Sequence, residues 1–285
     1  MGLINDPLSL IIAGLTAFML VPVAQWVFRL TARFDGYSEV AEAGERGNAA
    51  VGVRNAFFIL AVVLAFRGIL RTPGRSLRED VAAFVLYAVV ALVLVTISRY
   101  VNDKLILHRF DNTKEVVGEA NVPVALVEAA TFLATAFIAA GAAGSGDMEA
   151  TLASLALWFV VGQALLVALA LLYERLVPGM SAALDTHNYA CACSLSGLLL
   201  AAGIALGNAV SGPAQGWPDD AVSTAAFLAG WLTFMVVATA ICDRVLLPGR
   251  KLRAEIMERD NVPAGLLEGA MFVAFTQLYV MVAAT

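Results

Sequence analysis

The apolar positions of this chain fall into eight long blocks, at 8–30, 48–70, 81–97, 121–143, 150–172, 188–210, 221–241 and 262–284, with charged residues gathered between them. A helix of about 20 mostly apolar residues crosses about 30 Å of hydrocarbon. Every backbone N–H and C=O in lipid must be paired inside its own segment, so the blocks predict helices. The ten-residue alternating segments of a membrane barrel do not occur. The first block is longer than a signal-peptide core, follows no Lys or Arg, and ends in no small-x-small site. It predicts a retained helix.

Composition agrees. Sixty per cent of the 285 residues are hydrophobic and 14% are charged, too little charge to coat a water-facing surface of this size. A net charge of −5 leaves no basic stripe for nucleic acid, so no nucleic-acid partner is expected. The 3 cysteines lie in apolar blocks and form no disulfide framework. Lys and Arg set the expected orientation. With alternating connectors, 13 of the 18 fall on one side, 4 on the other, and Arg54 lies inside a block. The 13-residue side is expected to be cytoplasmic and both termini outside. Arg71, Arg75 and Arg78, in one external connector, pull mildly the other way.

The chain also repeats itself at an offset of 140. Asn121-Val122-Pro123 meets Asn261-Val262-Pro263, Glu128 meets Glu268, and 8 of the 14 positions from 121 to 134 are identical to their counterparts. Asn48 meets Asn188, Asp103 meets Asp243, Glu115 meets Glu255, and Pro73 meets Pro213, without a gap. The first and fifth blocks match only in hydropathy. Four blocks per half is an even number, so both halves share one orientation, with a pseudo-two-fold axis expected along the membrane normal. The expected fold is therefore an all-α polytopic membrane protein, with eight transmembrane helices as two parallel pseudo-symmetric four-helix repeats. The repeats are 1–145 and 146–285, joined near the Gly/Ser-containing stretch 141–147.

Each half has four blocks, an Asn-led second block, and a charged connector that leads into Asn-Val-Pro with a Glu seven residues on. In these features the chain resembles domain-of-unknown-function family 350, the YjfL-like bacterial inner-membrane proteins, here as a tandem pair. The resemblance implies a bacterial inner-membrane location and a repeat unit, and no activity. The halves differ where Ala49-Ala50 becomes Tyr189-Ala190 and Arg54 becomes Ser194, which argues against two equal sites.

Three ionisable residues stand out inside blocks: Arg54, Glu128 and Glu268. Each is six or seven residues past the Asn that starts its block, hence about 9–10 Å in at about 1.5 Å per residue. Intramembrane charge is costly and normally faces protein or water. One reading is a polar site between the repeats, with Asn48, Asn55, Asn121, Asn188 and Asn261 around its mouth, that binds a proton, a cation or a small polar solute. A second is a static Arg54–Glu tie between helices. A third is snorkelling to the headgroups. Glu268 has no matching arginine and is the better candidate for a carboxylate that takes up a proton or cation. The Asn residues also read as helix N-caps, with Pro tolerated in the first turn.

Gln25, Gln163 and Gln277 read as inter-helix hydrogen-bonding groups, and Gly203 and Gly207 as a close-packing step. His187, Cys191 and Cys193 supply too few ligands for a closed metal site. No metal or cofactor is expected, and no catalytic motif occurs. The connectors 99–119 and 243–260 mix charge with Leu105, Ile106, Leu107, Phe110, Leu252, Ile256 and Met257. They read as amphipathic segments that could meet anionic lipid or a cytosolic partner. Asn112 to Glu115 reads as a capping box. The leading functional expectation is binding or translocation of a small solute or ion. The rival is a non-transporting scaffold or stress-linked partner of a cytosolic protein. Membrane lipid is the expected surrounding, and a homo-oligomer is compatible with four-span units.

Overall fold

Each apolar block becomes one long helix. The computed structural model describes residues 7–68, 77–143, 148–211, 216–245 and 248–283. Its long helices are α1 (Pro7–Phe34), α2 (Ala49–Phe66), α3 (Leu77–Val101), α4 (Val122–Ala142), α5 (Met148–Leu176), α7 (Tyr189–Ala209), α8 (Trp217–Val245) and α10 (Val262–Ala283). The short helices α6 (Met180–Asp185) and α9 (Leu252–Met257) sit in connectors. No strand occurs among the described residues. All 8 long helices are apolar and long enough to cross a membrane, and the protein is a multi-pass integral membrane protein. Arg71, Arg75, Pro73, Pro213 and residues 144–147 of the expected joint lie outside the described residues, as does the side chain of Arg78.

The helices form two layers of partnership. An inner row runs α2, α4, α7, α10, each packed along the next, with α1, α3, α5 and α8 outside it. The outer helices have 25 to 29 residues and the inner ones 18 to 22. They outrun the apolar blocks because residues such as Arg33, Arg99 and Arg175 remain helical beyond the apolar core.

A two-fold axis would repeat the α4–α7 contact between α10 and α2. Those two helices do not pack along one another, so the halves stand head to tail rather than about the closed two-fold expected from the even span count. The consequence is a difference in burial. Of the most apolar window of α4 78% is buried, against 17% for α10.

Small residues let the inner row close up, as inter-helix contact in lipid requires. Gly141 and Gly207 face each other, Gly203 lies on Ala134, Gly197 on Gly269, and Gly265 on Ala190. A Cβ on any of these glycines would overlap neighbouring backbone. The step expected at Gly203 and Gly207 is thus the seam between the two repeats.

All four inner helices start in the same way. A residue with left-handed φ (Gly47 at 65°, Ala120 at 51°, His187 at 63°, Asp260 at 47°) turns the chain, and the next residue, an Asn, caps the helix. Only Gly adopts this conformation freely, so the three other residues carry a local cost that four matching turns justify. The Asn48 side chain accepts from Ala50 and Val51 N–H, and Asn188 from Cys191 N–H at 2.7 Å. Asn121 accepts from Val124 N–H at 3.2 Å, and Asn261 from Ala264 N–H at 3.4 Å. Their amide groups point onward along the row. Asn48 donates to the Val116 carbonyl at 3.0 Å, Asn121 to that of Leu184 at 2.8 Å, and Asn188 to that of Ile256 at 2.9 Å. Each of these three caps therefore locks the segment that leads into the next inner helix, while the Asn261 amide donates to Glu255 at 3.0 Å. In the first repeat these leading segments are π-helical, Val40–Glu45 and Lys114–Gly118; in the second they are α6 and α9.

The connector residues turn inward. Ile106, Leu107, Leu252 and Ile256 are buried in the bundle, while Leu105 is exposed. Gln163 makes the inter-helix bond expected of it, to Thr135 Oγ1 at 2.9 Å; Gln277 is exposed.

Candidate functional site

Arg54 projects from α2 and Glu128 from α4 at facing positions. The guanidinium holds the carboxylate with two bonds, from Nε to Oε2 and from Nη2 to Oε1, the latter at 2.7 Å. Both side chains are 1% exposed. Asn112, in the α3–α4 connector, donates to Glu128 Oε1 at 3.3 Å and to Asn102 Oδ1 at 3.2 Å. Asn102 donates to Thr131 Oγ1 at 2.7 Å. Arg54 Nη2 also reaches the Asn112 carbonyl at 3.3 Å. Nearby, Asn55 and Arg29 both donate to Glu39, at 3.0 and 3.1 Å. Arg99 bonds Asp35 and Thr31 while lying 5.5 Å from the centre of the Phe28 ring. The rings of Phe28, Phe58 and Phe132 continue this packing, at 5.5 and 5.9 Å between successive centres. One guanidinium meets one carboxylate in the innermost part, with no net charge left for an ion.

Asn112 departs from the capping role expected of it. Its side chain is buried beside the charge pair, and Asp111 Oδ1 accepts from Lys114 N–H instead.

The second repeat places Glu268 of α10 opposite Ser194 of α7, with the same sequence separation of 74 as the Arg54–Glu128 pair. The Ser194 hydroxyl donates to Glu268, and the Tyr173 hydroxyl from α5 lies 2.7 Å from Ser194 Oγ. With the serine proton committed to the carboxylate, Tyr173 is the donor of that second bond. No cation forms an ion pair with Glu268 among the described residues. Instead the carboxylate borders a cavity of about 360 Å³ lined by α5, α7, α8, α9 and α10. Its walls are almost entirely apolar, among them Leu172, Leu198, Met235 and Phe272, with Arg253 the second charged residue on them.

The structure therefore does not draw the expected residues into one polar site between the repeats. Glu128 and Arg54 close on each other inside the first repeat, Glu268 stands apart in the second, and the Asn residues are occupied as caps and ties. The concavity shared by α2, α4, α7 and α10 is a groove of about 330 Å³ with apolar walls, including Phe57, Leu126, Leu133 and Leu266. It includes neither glutamate.

Tyr173 and Asn102 were not marked by the sequence, and Asn112 was marked only as a cap. Tyr173 falls where the two halves match only in hydropathy. The other two carried a signal in the repeat itself: at the offset of 140, Asn112 and Asn102 become Leu252 and Cys242. Thr131, Asn55, Glu39 and Arg99 become Met271, Leu195, Gly179 and Thr239. Of the polar shell around the first glutamate, only the glutamate itself is retained.

Fold and site together define a polytopic membrane protein made of two like-oriented four-helix units, each carrying one glutamate at the same depth of its fourth span. The family model described as Domain of Unknown Function (DUF350) matches residues 2–143 and again 147–283. The chain belongs to this family, as a tandem repeat. No curated protein and no solved structure matches it.

Proposed function

We propose that this membrane protein binds a small solute or ion at Glu268, and that the second repeat is the binding half while the first is a rigid structural half. The observation that carries the proposal is the charge balance of the two equivalent positions. Glu128 has an arginine in bidentate contact, whereas Glu268 has a serine and a cavity in place of that arginine. An intramembrane carboxylate without a cation is costly unless something neutralises it. A proton or a bound cation supplies that neutralisation, and alternation between the two is the simplest route from binding to translocation. The retained charge-rich connectors put the site near the face expected to be cytoplasmic.

The rival reading, a scaffold for a cytosolic partner, draws less support from this geometry. The apolar connector side chains it would offer, Leu252 and Ile256, are spent on the bundle.

The test uses the full chain in liposomes, with sodium uptake read by a radioactive sodium tracer and proton flux by an entrapped pH dye. A flux or proton uptake that depends on Glu268, lost in Glu268→Gln, is the expected result. Wild-type and Glu268→Gln proteins that behave alike toward both probes would overturn ion and proton binding at this carboxylate, and with no organic solute bound there either, the proposal falls.

A further inference from the structure

We propose that the cavity beside Glu268 takes a lipophilic organic monocation, an amine or guanidinium carried on an apolar body. This rests on the reading of Glu268 as a binding carboxylate and adds the chemical class of its ligand.

The first repeat indicates what the cavity lacks. In that repeat Glu128 is met by the Arg54 guanidinium, and the adjoining space is filled by the Phe58 ring and the Arg99 side chain, both buried. At the same positions the second repeat has Ser194, Leu198 and Thr239. Each exchange removes volume, and two of them remove a positive charge. Leu198 and Thr239 line the resulting cavity directly, and Ser194 is bonded to the carboxylate at its polar end. The missing parts are a hydrogen-bonding cation and an apolar filling. A ligand that combines them restores the arrangement the first repeat builds from its own side chains.

Size and access agree with this. About 360 Å³ falls within the range of small-molecule pockets, about 300–1,000 Å³, with mostly apolar walls and a few placed polar groups. Leu172, Leu176 and Val236 line the cavity and are also exposed on the outside of the bundle. An amphiphile dissolved in the surrounding lipid therefore has a lateral way in. Arg253 on the same wall opposes a second positive charge on the ligand. A hydrated inorganic ion would leave these apolar walls unmatched.

The probe is radiolabelled phenethylamine, protonated at neutral pH, bound at equilibrium to the purified full chain. Phenylpropionate, of similar body and opposite charge, is the control for partition into lipid or detergent. Phenethylamine is expected to bind saturably and phenylpropionate not to. Glu268→Gln is expected to weaken the amine at least tenfold. The pair Ser194→Arg with Leu198→Phe, which imports the packing of the first repeat, is expected to abolish binding. Should that pair fail to fold, Val236→Phe narrows the cavity from an exposed position, with an expected several-fold loss. Amine binding no tighter than that of phenylpropionate, or unchanged in both filled variants, would overturn the assignment. If sodium or protons engage Glu268 in liposomes while the amine does not bind, the ligand class falls and the binding carboxylate stands. If nothing engages Glu268, both fall.

Discussion

Glu128 and Glu268 hold the same place in two copies of one four-helix unit, and their surroundings differ in nearly every polar detail. Around Glu128 the chain supplies an arginine, two asparagines and a threonine in a connected, buried network. Around Glu268 it supplies one serine hydroxyl, a tyrosine behind it, and open apolar space. In a duplicated protein, a fold needs its internal ties only as often as its stability demands. The other copy of a position is then free to exchange packing for a cavity. The comparison teaches that the first repeat is where this molecule is held together and the second is where it is left open.

The largest effects should come from breaking the tie. Arg54→Met or Glu128→Gln leaves its partner buried without its counter-charge, which costs about 3–5 kcal/mol. Unfolding of the detergent-solubilised protein by heat or denaturant measures it. Arg54→Met combined with Glu128→Leu should recover most of the loss, because removing both charges removes the uncompensated one. Glu268→Gln, by contrast, should cost no more than about 1 kcal/mol, since the side chain has no ion-pair partner to strand and the amide oxygen still accepts from Ser194. Equal losses at the two glutamates would erase the comparison.

Next in size is the seam between the repeats. A side chain at Gly203 collides with Ala134 of α4, and Gly203→Leu should cost about 1–3 kcal/mol by overpacking. The same substitution at Val63, its counterpart on α2, should cost little, because no second α4-like helix packs there. Melting temperatures of the two variants check this asymmetry.

How far these features were legible beforehand differs by kind. The eight spans, their shared orientation and the repeat were readable because membrane burial forces long apolar blocks, and because the offset of 140 holds without a gap. The Asn caps were readable because a cap is a local contact, fixed within three residues of chain. The Arg54–Glu128 tie was one of three open readings, since depth alone pairs residues only in one dimension. The residues of the polar site expected between the repeats are held apart for the same reason. Equal depth says nothing about which helices adjoin, and the inner row places α2 beside α4 and α7 beside α10. The cavity was out of reach altogether, as it is defined by where three large side chains on two helices are missing at once.

A chemical probe sharpens the contrast without touching stability. A hydrophobic carbodiimide entering from the lipid phase should modify Glu268, which borders an accessible cavity, and spare Glu128, which is sealed and ion-paired. Mass spectrometry of the intact protein should show one adduct in the wild type and none in Glu268→Gln. An adduct at Glu128 would mean that its pairing with Arg54 opens readily.

The Asn ties give a smaller, graded version of the same comparison. Asn121→Ala loses a cap, the bond to Glu115, and the bond across the repeat boundary to Leu184. Asn261→Ala loses a cap and the bond to Glu255 alone. A cap is worth about 1 kcal/mol, and the lost bond to the Leu184 carbonyl, which keeps the His187 N–H as a donor, adds about 0.5–1.5 kcal/mol. Denaturant unfolding should therefore rank Asn121→Ala above Asn261→Ala.

The smallest expected effect concerns acid. Glu255, in α9 outside the spans, accepts from the Asn261 amide at 3.0 Å and from Arg259 and Arg250 at 2.9 and 3.1 Å. The Asn261 hydrogen bond first, and then the two guanidinium groups, hold its carboxyl below the usual carboxylate range. A carboxyl depressed in the folded state contributes stability that is fully present above its unfolded value, about 4.3. That contribution is lost as pH falls through the lower folded value, because the unfolded chain takes up the proton first. The melting temperature should thus fall slightly on acidification below about pH 5, and Glu255→Gln should flatten that part of the profile. Both arginines belong to the second repeat only, since Phe110 and Glu119 occupy their positions in the first. Replacing both arginines by Met should accordingly flatten part of the acid limb. If the limb is unchanged without them, the acid sensitivity belongs to the Asn261–Glu255 bond and the arginines add nothing.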